Sequence, residues 1–212
     1  MRFNSWTILA SLALNVSASP TGPTVEIPKS TVTEMTWDVQ AFPNGPTLTL
    51  TGTVEQVHAQ LVGLNPNYDN EDFGTEFESA DADPLNPVAN TALSADANDR
   101  RREWHFCMPQ GSMRNMAWVP RIKEGISYLR KVKGKPKLRA GACSRVSCSW
   151  ESAIWWCNDN SEEKTLPSYN NIAQGATDIL NKCADLEHPA KPFGGSLDHP
   201  DQWRVVVKKG DC

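Results

Sequence analysis

Hydrophobic and polar residues form regular patterns in the first half of the chain. "EMTWDVQAF" and "TLTLTG" alternate like short β-strands around the turn "PNGP". The next stretch, "TVEQVHAQLVGL", predicts a helix because one helical stripe carries most of its apolar residues, namely Val54, Val57, His58, Leu61 and Val62. These patterns predict a small packed α/β unit within residues 19–68.

Patterned stretches return after residue 103. "EWHFCM", "SRVSCSW", "SAIWWCN" and "QWRVVVKK" have the alternation or the β-branched and aromatic content of strands. Two amphipathic helices separate them, one from Pro120 to a stop at Gly134 and one with Ser168 as its N-cap. The glycines of "FGGSLDHP" predict a turn into the last strand.

The resulting order of elements predicts the fold class. Strand, helix, strand, strand, helix, strand is the βαββαβ order of the split βαβ, ferredoxin-like fold. We therefore expect an α+β domain at residues 103–212, a two-layer sandwich with two helices on one face of a four-stranded antiparallel sheet. A small α/β unit would precede it.

The first 18 residues have the pattern of a secretory signal peptide. Arg2 precedes an apolar run from Trp6 to Val16, and small residues follow at a suitable cleavage position. The run is far shorter than the roughly 20 residues that span a bilayer. We therefore expect a secreted, extracellular protein.

Export changes the interpretation of the six cysteines, since an even number in an oxidising compartment usually means disulfides. The spacings do not suit zinc, so no metal is expected. Six cysteines allow 15 pairings, and one bridge, Cys148 to Cys183, is favoured because both would face the core. All six lie after residue 102: Cys107, Cys143, Cys148, Cys157, Cys183 and Cys212.

Charge changes at the same point as the cysteines. Residues 19–99 hold thirteen acids and one lysine, a formal charge of −12, whereas residues 103–212 carry +4. Residues 69–102 are acidic and poor in aliphatic periodicity, which predicts an exposed linker. It ends in Arg100, Arg101 and Arg102, a motif that kexin-type proteases cut in exposed segments. We therefore expect an acidic propeptide, or alternatively an uncleaved, solvated charge cluster.

Basic residues are concentrated in "RKVKGKPKLRAGACSR", which contains no acid. This run could bind an anionic membrane or cell-wall polymer, or dock the acidic propeptide before processing, while nucleic acid is an unlikely partner. The alternative is a solvated helix end, since cations are favoured at helix C-termini. Its candidate anion-binding residues are Lys131, Lys133, Lys135, Lys137 and Arg139.

Candidate catalytic groups are few. His199, between Asp198 and Asp201, and His105 could serve a small hydrolase or ribonuclease as acid and base. No nucleophile elbow, zinc helix or phosphate loop accompanies them, so neither a catalytic residue nor a cofactor is expected. The tryptophans Trp150, Trp155, Trp156 and Trp203 could form a binding shelf, although we favour the core for the group.

The block "CSRVSCSWESAIWWCNDN", with the helix "RIKEGISYLRKV" before it and "FGGSLDHPDQWRVVVKKGDC" after it, resembles small secreted cysteine-rich proteins of filamentous fungi. The upstream "MTWDVQAFPNGPTLTLTGTVEQVHAQLVGLNPNYD" is similar to their leader regions. The resemblance implies an effector or virulence protein that acts on a host or competitor by binding a protein, membrane or cell-wall target. Viral killer toxins of smut fungi are similar in domain type only, a fold analogy.

Overall fold

The computed structural model describes residues 31–73 and 104–212. These residues form an α+β structure with three disulfides. Below, residues 31–73 are called the N-terminal segment and residues 104–212 the disulfide domain. The helices are α1 Val54–Leu64, α2 Val119–Lys131 and α3 Asn170–Cys183, with short 3-10 helices at Tyr68–Asn70 and Gln110–Asn115.

The N-terminal segment contributes the strands β1 Thr31–Thr33, β2 Thr36–Gln40 and β3 Thr47–Thr51. The disulfide domain contributes β4 Trp104–Cys107, β5 Lys137–Leu138, β6 Ala142–Ser149, β7 Ser152–Asn158, β8 Lys164–Thr165, β9 Gly195–His199 and β10 Trp203–Lys209. The predicted strands around "PNGP" and on either side of Glu151 are thus confirmed, as are the three predicted helices.

One six-stranded sheet organises the molecule, in the order β1-β6-β7-β10-β9-β4. β1 runs parallel to β6, and every other neighbouring pair in this sheet is antiparallel. β2 and β3 form a separate hairpin, and β5 pairs with β8. The sheet therefore contains a strand from the N-terminal segment at one edge.

The predicted ferredoxin-like strand order is wrong. A split βαβ sheet holds its first strand in the interior, whereas β4 lies at the edge, separated from β7 by β9 and β10. The reason lies in "GSLDH", which forms the strand β9 rather than a turn. Gly195 opens this strand because a Cβ there would lie 2.5 Å from the carbonyl oxygen of Phe106, too close for any side chain.

All three helices cover one face of the sheet. Gly125 of α2 approaches Ser147 and Ile154 so closely that a Cβ would lie 2.2 Å from the Ser147 hydroxyl. Gly175 of α3 meets Val205 in the same way, at 2.7 Å. α1 lies on this face too, because its Glu55 carboxylate hydrogen-bonds the Ser147 hydroxyl. Glycine at these points lets the helices pack directly on the strands.

The N-terminal segment shares the core of the disulfide domain. Trp37 of β2 is fully buried and stacks on Tyr169 beside α3, with ring centroids 4.4 Å apart. A single cluster of buried residues includes the inward side of α1 (Val54, Val57 and Leu61) and residues from α2, α3 and the sheet. The helical stripe predicted for α1 is confirmed, but it packs on the disulfide domain and not only within its own unit.

Candidate functional site

The disulfides hold the domain at three places. Cys107 of β4 pairs with Cys183 at the end of α3, and Cys143 of β6 pairs with Cys157 of β7. Cys148 near the end of β6 pairs with Cys212 at the end of the chain. All three bonds lie within residues 104–212, so none joins the N-terminal segment to the domain.

The expected bridge between Cys148 and Cys183 is wrong. The pairing of β6 with β7 shifts register between Arg145 and Ser147, which breaks the simple alternation that placed Cys148 on the core face. Ser147 faces α2 and α1, so the next residue, Cys148, faces away from the helices. A β-bulge of this kind leaves no clear signal in the sequence.

The predicted processing residues Arg100, Arg101 and Arg102 lie outside the described residues, as does the predicted signal peptide. The three arginines fall between the N-terminal segment and the disulfide domain in the sequence.

The candidate histidines His105 and His199 are brought onto neighbouring strands. His105 of β4 pairs with Leu197 of β9, and alternation places His199 on the same face as Leu197. His199 lies flat against Trp203, with ring centroids 3.5 Å apart and an interplanar angle of 8°. Both imidazole Nε2 atoms are buried, so neither ring presents this nitrogen to solvent.

His188 has a different setting. It lies on an exposed turn, where its Nδ1 is 3.0 Å from a carboxylate oxygen of Asp185, and Lys191 contacts the same oxygen at 2.7 Å. Hydrogen bonds from Lys191 and His188 lower the pKa of Asp185 to about 2. This exposed cluster of side chains stabilises a turn.

The predicted anion-binding residues do not form one free patch. Lys131 contacts Asp69 of the N-terminal segment at 2.6 Å, and Lys137 contacts Glu163 at 3.0 Å. The backbone N–H of Lys133 donates to the hydroxyl of Tyr68. Lys135 and Arg139 are exposed. The basic run therefore serves partly as a contact with the N-terminal segment.

A cleft of about 510 Å³ follows the boundary between the N-terminal segment and the domain. Residues from the segment form one wall, among them Thr33, Glu34, Glu55 and Gln56. The domain provides the other wall with Arg145, Trp155 and the Cys148–Cys212 disulfide. Neither part of the chain forms this cleft alone.

The tryptophans divide between core and surface. Trp156 and Trp203 are buried, as favoured from the sequence, and Trp155 is half-buried. Trp150, however, is 74% exposed at the tip of the β6–β7 hairpin. The sequence predicts Trp150 in the core with the other tryptophans, because the strand pattern does not show that the residue lies in the turn between β6 and β7.

The conformation of the hairpin tip is unusual. Trp150 and Glu151, its two loop residues, both adopt the left-handed region, with φ of 46° and 58°. Two-residue hairpin loops of this kind favour Asn-Gly or Asp-Gly, because other residues are strained there. The bulky Trp150 therefore occupies a backbone conformation that is unfavourable for its type of residue.

Several contacts connect this tip to α2 and β10. The Arg121 guanidinium lies 5.4 Å from the centroid of the Trp150 ring. Lys209 forms an ion pair with Glu151 at 2.9 Å, and the backbone N–H of Trp118 donates to the Ser152 hydroxyl at 2.9 Å. The half-exposed Trp118 therefore lies beside the hairpin. We call Trp118, Arg121, Trp150 and Glu151 the tryptophan tip.

Comparisons with known proteins add no relative. No family model, no curated protein and no solved structure matches the chain. Of the helices in residues 31–73 and 104–212, none has the length and apolar character needed to cross a membrane. Over the same residues, no group of three or more histidines, cysteines or acids is arranged to hold a metal ion.

Proposed function

We propose that the protein is a secreted, effector-like or toxin-like binding protein, released from a precursor by cleavage after Arg102. It acts on a host or competitor by binding a surface protein through the tryptophan tip. One observation carries this proposal: the tip of the β6–β7 hairpin holds Trp150 in solvent in a left-handed conformation. Three disulfides and the resemblance to secreted fungal proteins support export.

The composition of the tip favours a protein target. Tryptophan and arginine are the residues most enriched among those that dominate binding energy at protein interfaces. Trp118, Trp150 and Arg121 provide such a set on a fixed backbone. A surface that already has its bound conformation loses less entropy on binding.

Trp104 offers a matched control for this surface. It is 78% exposed, close to the exposure of Trp150, and it lies at the opposite end of the sheet, where β4 meets the end of β9. Replacing either residue removes one exposed tryptophan. Only Trp150→Ala removes the tip.

The test measures binding of labelled protein to intact yeast cells, as competitors, and to plant leaf cells, as hosts. We expect saturable binding to one of them that Trp150→Ala weakens at least roughly tenfold, the usual effect of a hot-spot residue. Trp104→Ala should bind like the unchanged protein. Treating the cells with protease beforehand should abolish binding.

Equal loss for both tryptophan variants, or binding that survives protease treatment, would overturn the proposed tip and its protein target. Processing is tested separately by intact mass and N-terminal sequencing of protein from the culture medium. An N-terminus at Glu103 supports cleavage, and a single chain running through Arg102 contradicts it.

A second candidate, a small secreted hydrolase or ribonuclease, is favoured by one observation: β4 and β9 bring His105 and His199 onto the same face of neighbouring strands. Two histidines can act as general base and acid in such enzymes. RNA hydrolysis by the purified protein that is lost in His105→Gln and kept in His188→Gln would support this candidate. The absence of hydrolysis would leave binding as the function.

A further inference from the structure

We propose that the N-terminal segment stays bound to the disulfide domain after the chain is cut between them, so that the cleaved protein is a non-covalent two-chain complex. That such a cut occurs in nature rests on the proposed function, whereas the association rests on the interface alone. The structure gives three kinds of contact that hold the segment in place.

Apolar packing is the first. Trp37, Val54, Val57 and Leu61 are each fully buried in the core cluster, and Trp37 stacks on Tyr169 of the domain. Burial of large apolar side chains is the dominant favourable contribution to the stability of a packed core. If the segment left, the segment and the domain would each expose a large apolar surface, which soluble proteins rarely show.

Backbone pairing is the second. β1 extends the sheet by pairing Thr31–Thr33 with residues 142–144 of β6, and the Ser144 hydroxyl donates to the Thr33 carbonyl oxygen at 2.9 Å. Val39 of β2 forms an isolated bridge with Gly134. Without the segment, β6 would become an unpaired edge strand, which is a template for aggregation.

Polar contacts at the rim are the third. The Glu55 carboxylate accepts hydrogen bonds from the Ser147 hydroxyl and, at 3.4 Å, from the backbone N–H of Cys148. Asp69 contacts Lys131 at 2.6 Å, and the Tyr68 hydroxyl accepts from the backbone N–H of Lys133 at 3.0 Å. The formal charges also match, at −6 for residues 31–73 and +5 for residues 104–212, which favours association.

No covalent bond replaces these contacts once the chain is cut. The first cysteine of the chain is Cys107, and the three disulfides join cysteines of the domain to one another. The cleft of about 510 Å³ has walls from both parts. A ligand of that cleft would therefore require both parts, whether or not the chain between them is cut.

The experiment uses the full chain with a site-specific protease sequence inserted between residues 74 and 99. Arg100, Arg101 and Arg102 are changed to Ser, so the result does not depend on natural processing. After the inserted site is cut, the protein is passed over a size-exclusion column at nanomolar concentration. We expect both fragments in one peak at the size of the uncut chain, and separate peaks only in concentrated guanidinium chloride.

Two interface variants and one control sharpen the test. Trp37→Ala and the milder Val57→Ala should release the N-terminal fragment after cutting, the first more completely, because both remove buried contacts. Trp104→Ala should retain it. Val57→Ala keeps the test decisive if Trp37→Ala does not fold. Separation of the fragments in the otherwise unchanged chain under native conditions would overturn the proposal.

Discussion

The N-terminal segment and the disulfide domain contribute to the same core but are stabilised by different means. The domain holds all six cysteines, paired in three bonds. The segment has no cysteine, no lysine and no arginine among its described residues, and it is held by packing, strand pairing and rim contacts. The domain is therefore cross-linked covalently. The segment, once the chain between the two parts is cut, can leave only if the shared core is broken.

The largest expected effect comes from removing the longest covalent loop. Replacing Cys107 and Cys183 by Ala opens a loop of 76 residues, and the chain-entropy relation predicts a loss of about 4.5 kcal/mol in the free energy of unfolding. The same change at Cys143 and Cys157, which close a loop of 14 residues, should cost about 3 kcal/mol. Urea unfolding measures both, and the reverse ranking would contradict the entropic explanation.

In the N-terminal segment, which has no disulfide, the buried Trp37 is the side chain whose loss should cost the most stability. Trp37→Ala should lower the free energy of unfolding by about 4 kcal/mol, because it leaves a cavity against Tyr169. Chemical denaturation followed by circular dichroism measures the loss. The control is Trp104→Ala, for which we expect a change below about 0.5 kcal/mol, as for other exposed positions. A loss for Trp37→Ala no larger than the control's would show that the segment does not share the core.

A smaller effect is expected at the rim. Asp69→Asn should cost about 1 kcal/mol, because the carboxylate contacts both Lys131 and His58, at 2.6 and 2.7 Å. Glu163→Gln is the control, since its contact with Lys137 joins two exposed side chains and should contribute a few tenths of a kcal/mol at most. Equal losses would mean that the rim contact of the segment is no stronger than an ordinary surface pair.

The smallest effect is the dependence of that rim contact on pH. Burial alone would raise the pKa of Asp69, but hydrogen bonds from Lys131 and His58 outweigh it and hold the pKa below its ordinary value. A carboxyl group with a lowered pKa in the folded state stabilises the fold above its unfolded value, near 4, and loses that contribution as the pH falls through the folded pKa.

We therefore expect Asp69 to stabilise the fold at pH 5 and above and to lose its contribution as the pH falls below about 4. The difference in unfolding free energy between the unchanged protein and Asp69→Asn, measured at pH 7, 5 and 3, isolates this group from other carboxylates such as Asp185. A difference that stays constant down to pH 3 would contradict the assigned role of the carboxylate.

Sequence patterns predicted most of the helices and strands but little of their arrangement. The apolar stripes of α1 and α2 identified their buried faces correctly, since period and burial are linked in a helix. The strand β9 was missed because Gly194 and Gly195, needed for close packing, are also typical of turns. The disulfide at Cys148 was mispaired because a bulge changed which face it occupies.

The candidate site shows the same limit. Trp150 was identified as a possible binding residue, but its exposure depends on a two-residue loop whose conformation only the structure shows. The docking of the N-terminal segment was suggested by opposite charges, yet its main contacts are apolar and join residues more than 100 positions apart, such as Trp37 and Tyr169. Long-range packing of this kind leaves no periodic signal in a single sequence.

The parallel pairing of β1 with β6 also has a practical consequence for labelling the protein. Thr31 lies beside Ala142, at the start of β6, whereas Trp150 follows the end of that strand. Eight residues of strand separate the two points, about 25 Å at the usual rise. A dye or affinity tag attached ahead of Thr31 therefore joins the fold far from the tryptophan tip. A tag fused after Cys212 would join the fold beside the tip, because Cys212 is bonded to Cys148.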